Sequence, residues 1–286
     1  MNWITASLLG FAFSILTYLL VRKTSLMKVN TEFNNLAMFV IPAIVYVLLG
    51  IVTHESFVLT FEQTVVVTII AVFFSYFGNY FSLRAIEYAP NPGYSLTISK
   101  SYVVFTTLVA VFLFGAALSL KNVTAIALIV LFSALIMMSD SKKQKKVNSL
   151  WLPLSFGAFF CWGFLSLGTK YLFNQGVGVT QVLMYTTGIV TLVIIAKNIR
   201  KKVLFSEIKQ NFIMFLAVGL ATAGFYFFMY DALRTAPNVG YVNAINASSI
   251  SVVTIFAGLL FKDDLTIRKI IGVFGVLGGL ILLLIR

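Results

Sequence analysis

The sequence predicts an all-α polytopic membrane protein: ten transmembrane helices arranged as two inverted five-helix repeats. Three observations carry that expectation. The 286-residue chain is 60% apolar and only 10% charged, with a mean hydropathy of +0.98. A soluble domain is about 45–50% apolar and about 25% charged, so this chain lacks the polar surface to cover itself in water. The apolar residues fall into ten runs of membrane-spanning length, and a shift of 147 residues lays one half of the chain over the other.

A membrane-crossing helix needs about 20 mostly apolar residues. The runs cover 3–21, 33–52, 64–86, 93–114 and 122–139, then 151–172, 178–196, 211–233, 239–261 and 268–285. The first has no basic residue ahead of it and no small-residue cleavage site, so it reads as a retained span rather than a signal peptide. Short polar segments separate the runs: Arg22-Lys23, His54-Glu55, Pro90-Asn91-Pro92, Asp140 to Lys146, Lys197 to Lys202 and Lys262-Asp263-Asp264. No run of polar sequence is long enough for a soluble domain.

Lys and Arg are unevenly shared between the two sets of loops. Sixteen of the 21 fall on loops 1–2, 3–4, 5–6, 7–8 and 9–10, while the other face holds Lys121, Lys170, Arg234 and Arg286. Cytoplasmic loops carry the excess of basic residues. The expected location is therefore the cell (inner) membrane, multi-pass, with both termini outside. The net charge of +12 is thus spent on orientation and on anionic lipid, not on nucleic acid.

The internal repeat is specific. At an offset of 147, Ala89-Pro90-Asn91-Pro92-Gly93-Tyr94 lands on Ala236-Pro237-Asn238-Val239-Gly240-Tyr241, and 14 of the 38 positions from Phe81 to Leu118 are identical. Gly10 with Gly157 and Lys23 with Lys170 keep the same offset. The repeats are residues 1–146 and 147–286. Five spans is an odd number, so the second half enters from the opposite side. Inverted repeats of this kind place a substrate site near the midplane.

Polar side chains inside spans are costly and mark candidate sites. Lys100 lies about 6 Å from the midpoint of a helix over 93–114 at ~1.5 Å per residue. Thr97, Lys100 and Ser101 share one helix face, which Thr107 extends. Either Lys100 lines a cavity and attracts an anionic group, or it snorkels, or it pairs with Glu87 or Asp231. The ninth span carries Asn243 and Asn246, followed by Ser248, Ser249 and Ser251. These side chains line a cavity or bind helices together. Asn79, Tyr80, Tyr226 and Tyr230 stand on the third and eighth spans, as cavity wall or as interfacial anchors. Those spans end in Arg84-x-x-Glu87 and Asp231-x-x-Arg234, with charges swapped between the halves. Each pair is a helix-end salt bridge at i, i+3 or one member of a pair of gates. Gly272, Gly275, Gly278 and Gly279 permit close helix contact on the tenth span, internally or at a dimer seam.

The absences narrow the chemistry. One His (His54), one Cys (Cys161) and no carboxylate at the centre of any span leave no convergent catalytic set, so the chain reads as no enzyme. No metal and no cofactor is expected. No Walker loop appears, which argues against direct ATP drive.

The chain resembles the drug/metabolite transporter superfamily, in its EamA-like branch. Ala85-x-x-x-Ala89 and Ala232-Leu233-Arg234-Thr235-Ala236 match the family's ends of helices 3 and 8. Asp263-Asp264-Leu265-Thr266 with Gly272 resembles its Glu-Arg-Leu-Thr and trailing Gly, and Trp162-Gly163 with Lys170 resembles its Trp-Gly helix start and basic helix end. The family's proline in helices 4 and 9 is replaced here by Tyr102 and Ser249, which removes the usual cause of a kink. Its loop glutamate is Ala116 in the first half, and its Trp-Gly pair is Ile15-Leu16. The resemblance implies a basket of helices 1–4 and 6–9 around a central cavity, with helices 5 and 10 peripheral. It implies transport of small metabolites, often export of amino acids or related compounds. Relatives commonly keep both termini in the cytoplasm, against the count of basic residues here.

The expected function is a secondary transporter for a small metabolite, an amino acid or related compound, working by alternating access. An exchanger for carboxylated or phosphorylated solutes is the alternative, with Lys100 compensating substrate charge. A structural membrane protein without carrier activity stands third. The expected partners are a small-molecule substrate and the lipid bilayer, with the chain a monomer or homodimer.

Overall fold

The computed structural model describes residues 1–88, 92–138, 149–199, 202–262 and 265–285, without the side chains of 31, 86–87, 92–94, 202–203 and 205. Glu87, Asp140, Asp263 and Asp264 are thus outside what is described. All elements among these residues are helical. They are α1 (Trp3–Leu26), α2 (Thr31–Val52), α3 (Phe61–Ile69), a π-helical segment (Ile70–Tyr76), α4 (Phe77–Tyr88), α5 (Pro92–Lys100), α6 (Tyr102–Phe114) and α7 (Leu120–Met137). The second half gives α8 (Trp151–Asn174), α9 (Val179–Asn198), a short α10 (Lys202–Gln210), α11 (Phe212–Thr235), α12 (Val239–Phe261) and α13 (Ile267–Leu284). Ten stretches are long and apolar enough to cross a membrane. α3, the π segment and α4 make the third, and α5 with α6 makes the fourth.

Two spans depart from plain helices, both in the first half. The π turns of the third span release a carbonyl at Phe73, which accepts from Cys161 Sγ at 3.5 Å. The fourth span breaks at Ser101, whose hydroxyl donates to the Ile98 carbonyl at 2.7 Å. Ser248, its counterpart at the offset of 147, donates likewise to the Ile245 carbonyl at 2.6 Å, so this bond by itself does not break a helix. α12 runs unbroken through Ser248 and Ser249, so the second half lacks the equivalent break.

Packing follows one rule. α1 lies on α11 and α12, while their counterparts α8 and the third and fourth spans pack in the same way. α2 pairs with α9, α6 with α12, and α7 with α13. Exchanging span n with span n+5 leaves this set of neighbours unchanged. Gly10 meets the α11 backbone at Met229, and Gly157 meets Phe81 on α4, so both glycines sit at the equivalent crossing. Helix ends repeat as well. Gly115 and Lys262 both close their helices in the left-handed conformation, at φ 60° and 57°. Ser119 and Thr266 cap the next helix, accepting from the Asn122 and Lys269 amides.

α13 lies against α7, where a Cβ at Gly272, Gly275 or Gly279 would strike Phe132, Ile136 or Ile129. The small-residue seam of the tenth span is thus an internal contact.

Links between segment ends sort into two faces. On one, Lys197 pairs with Glu32 at 3.5 Å, the Asn30 amide donates to Glu207 at 3.2 Å, and Arg268 donates to the Met138 carbonyl at 3.4 Å. On the other, Tyr171 donates to Glu62, Gln181 to the Val58 carbonyl at 2.9 Å, and Lys121 to the Ile285 carbonyl. The first set joins the basic loops, as ten alternating crossings require.

Candidate functional site: a tyrosine-lined centre with one lysine

The break in the fourth span places Lys100 at the end of α5 and Tyr102 at the start of α6. Lys100 interacts electrostatically with Tyr18 on α1 and with Tyr102. Tyr102 in turn interacts with Asn246 on α12, whose side-chain oxygen has no hydrogen-bond partner. Tyr226 on α11 faces both Tyr18 and Tyr230, and its ring lies 6.2 Å from that of Phe39. Tyr46 on α2 faces Tyr226 and Tyr230, and its hydroxyl donates to the Ala223 carbonyl. Five spans therefore turn phenols, one ammonium and one amide toward a common centre.

Exposure across this group is graded. Tyr18 keeps 39% of its surface, and Lys100, Tyr226 and Asn246 are half-buried. Tyr230 keeps 7%, Tyr46 1% and Asn243 none. Tyr18 and Lys100 each lie eight residues, about 12 Å, from the helix end on the basic-loop face. Tyr226, Tyr230, Tyr46 and Asn246 lie nearer the opposite face, and Tyr102 beside Lys100 keeps only 5%, so open and closed members are found on both halves.

The sequence candidates divide. Lys100, Tyr226, Tyr230 and Asn246 come together. Thr97 lies half-buried one turn before Lys100 with an unpartnered hydroxyl, and Ser101 spends its hydroxyl on the Ile98 carbonyl. Asn243 is instead packing glue. Its amide donates to Thr106 at 3.2 Å and its oxygen accepts from Ser166 at 3.4 Å, joining α12, α6 and α8. Thr107 meets the backbone of Gly240 at the α6–α12 crossing, with its hydroxyl donated to the Val103 carbonyl. Asn79 stands half-buried on α4. Tyr80 is 38% exposed and carries Arg84 and Lys197 over its ring at 5.8 and 5.5 Å, the placement of an interfacial anchor. Asp231 holds Arg234 at 2.8 Å along α11, so neither reaches Lys100. Tyr18, Tyr46 and Tyr102 were not singled out from the sequence. Lys100 was the signal that could have found Tyr102, two residues away.

A helical membrane protein of ten spans with a polar centre is the class these features define. Residues 149–285 match the EamA-like transporter family. The second half is thus similar to an EamA-like unit. No curated protein matches the chain. A solved crystal structure is similar over 98% of this chain and 97% of its own, with 15% identity and a TM-score of 0.76, which shows the shared fold. The protein is a multi-pass membrane protein whose second half is similar to a transporter family.

Proposed function

We propose that the protein is a secondary carrier that moves a small polar metabolite, an amino acid or related compound, across the cell membrane by alternating access. The observation behind this reading is that polar side chains from five spans meet at mid-depth while part of their surface stays open. Buried polar groups normally find partners, and a centre with spare donors and acceptors is a place for a solute. The two five-span halves are read as inverted repeats, since the exchange of spans n and n+5 maps the principal helix pairs, though not α7 with α12, onto one another. Inverted repeats generate two access states about one site.

The test is thermal unfolding of the detergent-purified protein with amino acids, sugar phosphates, nucleosides and lipophilic cations. A solute that binds the folded state at 100 times its Kd adds about 2.7 kcal/mol. Stabilisation by one class, followed by counterflow of that solute in proteoliposomes, is the expected outcome. Counterflow absent for every stabilising solute would overturn the carrier reading.

A further inference from the structure

We propose that Lys23 is a second latch, the counterpart of Lys170: when the basic-loop face closes, its ammonium ties the end of α1 to the end of α4. This rests on the carrier reading and deepens it, by naming what holds each face shut. The opposite face shows the device engaged. Lys170, near the end of α8, donates to three main-chain carbonyls at the end of α11, at 2.8 to 3.2 Å. Beside this tie the rings of Phe173 and Tyr230 meet edge-on, with centroids 6.2 Å apart. They keep only 8% and 7% of their surface.

The offset of 147 carries these parts onto the first half. Lys170 becomes Lys23, Phe173 becomes Leu26 and Tyr230 becomes Leu83, while the acceptors at Leu233 and Arg234 become the main chain of Ile86 and Glu87. The register is kept, because Gly10 meets the backbone of Phe228 and Met229, and Gly157 meets Phe81, the counterpart of Phe228. Yet the equivalent side chains stand open. Leu26 keeps 49% and Leu83 44% of its surface, and Lys23 is exposed. α8 packs on α11, whereas α1 and α4 share no comparable packing among the described residues. The π segment and the broken fourth span also fall in this open half, while α11 and α12 run unbroken. One half thus holds the closed form of a helix-end contact, and the other half holds the open form. Inverted repeats reach their second access state by moving one repeat against the other about a fixed site, so the halves exchange these forms. Lys23 then meets carbonyls without intrahelical partners, at the negative end of the α4 dipole, and the two leucines cover one another.

The test cross-links paired cysteines with a short bis-maleimide, in proteoliposomes and a Cys161→Ala background. Phe173→Cys with Tyr230→Cys reports the closed face, and Leu26→Cys with Leu83→Cys the open one. Lys170→Met should raise the yield at the Leu26 and Leu83 pair by about fivefold or more, the scale on which one such tie shifts a two-state ratio. Adding Lys23→Met should return that yield to its starting value, and Lys23→Arg should preserve the rise. Lys23→Met alone should lower the residual yield of the pair by a similar factor, a reading that stands even where Lys170→Met fails to fold. A yield indifferent to Lys23→Met overturns the latch. Where that protein still performs counterflow, the carrier reading stands. With all four cysteines present, a bridge at the Phe173 and Tyr230 pair should exclude one at Leu26 and Leu83. Both bridges in one molecule mean that the two faces close together, which overturns latch and carrier alike.

Discussion

Lys170 Nζ donates to the main-chain carbonyl of Arg234 at 2.8 Å, and to those of Leu233 and Ala236 at 3.1 and 3.2 Å. All three donors of the ammonium are thereby spent on the C-terminal end of α11, where unpaired carbonyls and the helix dipole favour a cation. The tie binds α8 to α11 on the face opposite the basic loops. Lys170→Met should lower stability by about 1–2 kcal/mol, the lower range for a hydrogen bond to a charged group because the site is partly exposed. Lys170→Arg should recover part of that loss. Thermal unfolding of the purified variants checks both, and an unchanged unfolding temperature in Lys170→Met would remove the tie from the account.

The left-handed helix ends give an asymmetric pair. Gly115 adopts φ 60° at no steric cost, whereas Lys262 adopts φ 57° with a side chain to accommodate. Lys262→Gly should stabilise the protein by up to about 1 kcal/mol, reduced by the extra freedom glycine gives the unfolded chain. Gly115→Ala should cost about 1 kcal/mol. Opposite signs at equivalent positions of the two halves are the readout in chemical or thermal unfolding.

Most of the fold was legible because it rests on composition and periodicity. All ten runs became helices, and the positions at an offset of 147 became equivalent crossings and caps. The broken fourth span was less legible. With Tyr102 in place of a proline the usual cause was missing, and the back-bonded serine at the break has an equal in Ser248 of unbroken α12. The site was legible only in its charged member. Lys100 is conspicuous in an apolar run, but Tyr18 and Tyr46 read as ordinary apolar-run residues, and only tertiary packing turns them inward. Asn243 and Asn246 looked alike in sequence. One helical turn separates an amide with both ends paired inside the protein from one with a spare oxygen, and that difference arises from neighbours on other spans.

Close approach of α12 to α6 depends on Gly240. A Cβ there would come within 2.7 Å of the Thr107 Cα, and backbone cannot move aside cheaply. Overpacking of this kind costs about 1–3 kcal/mol. Gly240→Ala should reduce stability by that amount, while Gly278→Ala, which meets open space, should leave it unchanged or slightly raised. Comparable losses in both variants would mean that helix propensity rather than the crossing sets the effect.

The Asp231–Arg234 pair distinguishes a strut from a gate. As a partly exposed i, i+3 bridge it contributes about 0.2–1 kcal/mol, so Asp231→Asn and Arg234→Gln should each lower the unfolding temperature only slightly. The double variant Asp231→Arg with Arg234→Asp restores the bridge with reversed polarity, the order found at Arg84 and Glu87 in the first half. A strut predicts full counterflow in the swapped protein. Loss of transport in the swap with stability retained would instead show that the charges pair elsewhere during the cycle.

Orientation in the membrane follows from where the charge sits relative to the two faces. Links among segment ends group Glu32, Glu207 and Lys197 on one face with Met138 and Arg268, which is the face of the sixteen basic loop residues. Moving that many cations across a membrane is opposed at every loop, so the inequality should outweigh the orientation usual among relatives. A cysteine at His54 lies on the opposite face, and one at Asn148 lies on the basic loop between the halves. In a Cys161→Ala background and intact cells, an impermeant thiol reagent should label the His54 position alone. Permeabilised cells should label both. Labelling at Asn148 in intact cells would place the basic face outside.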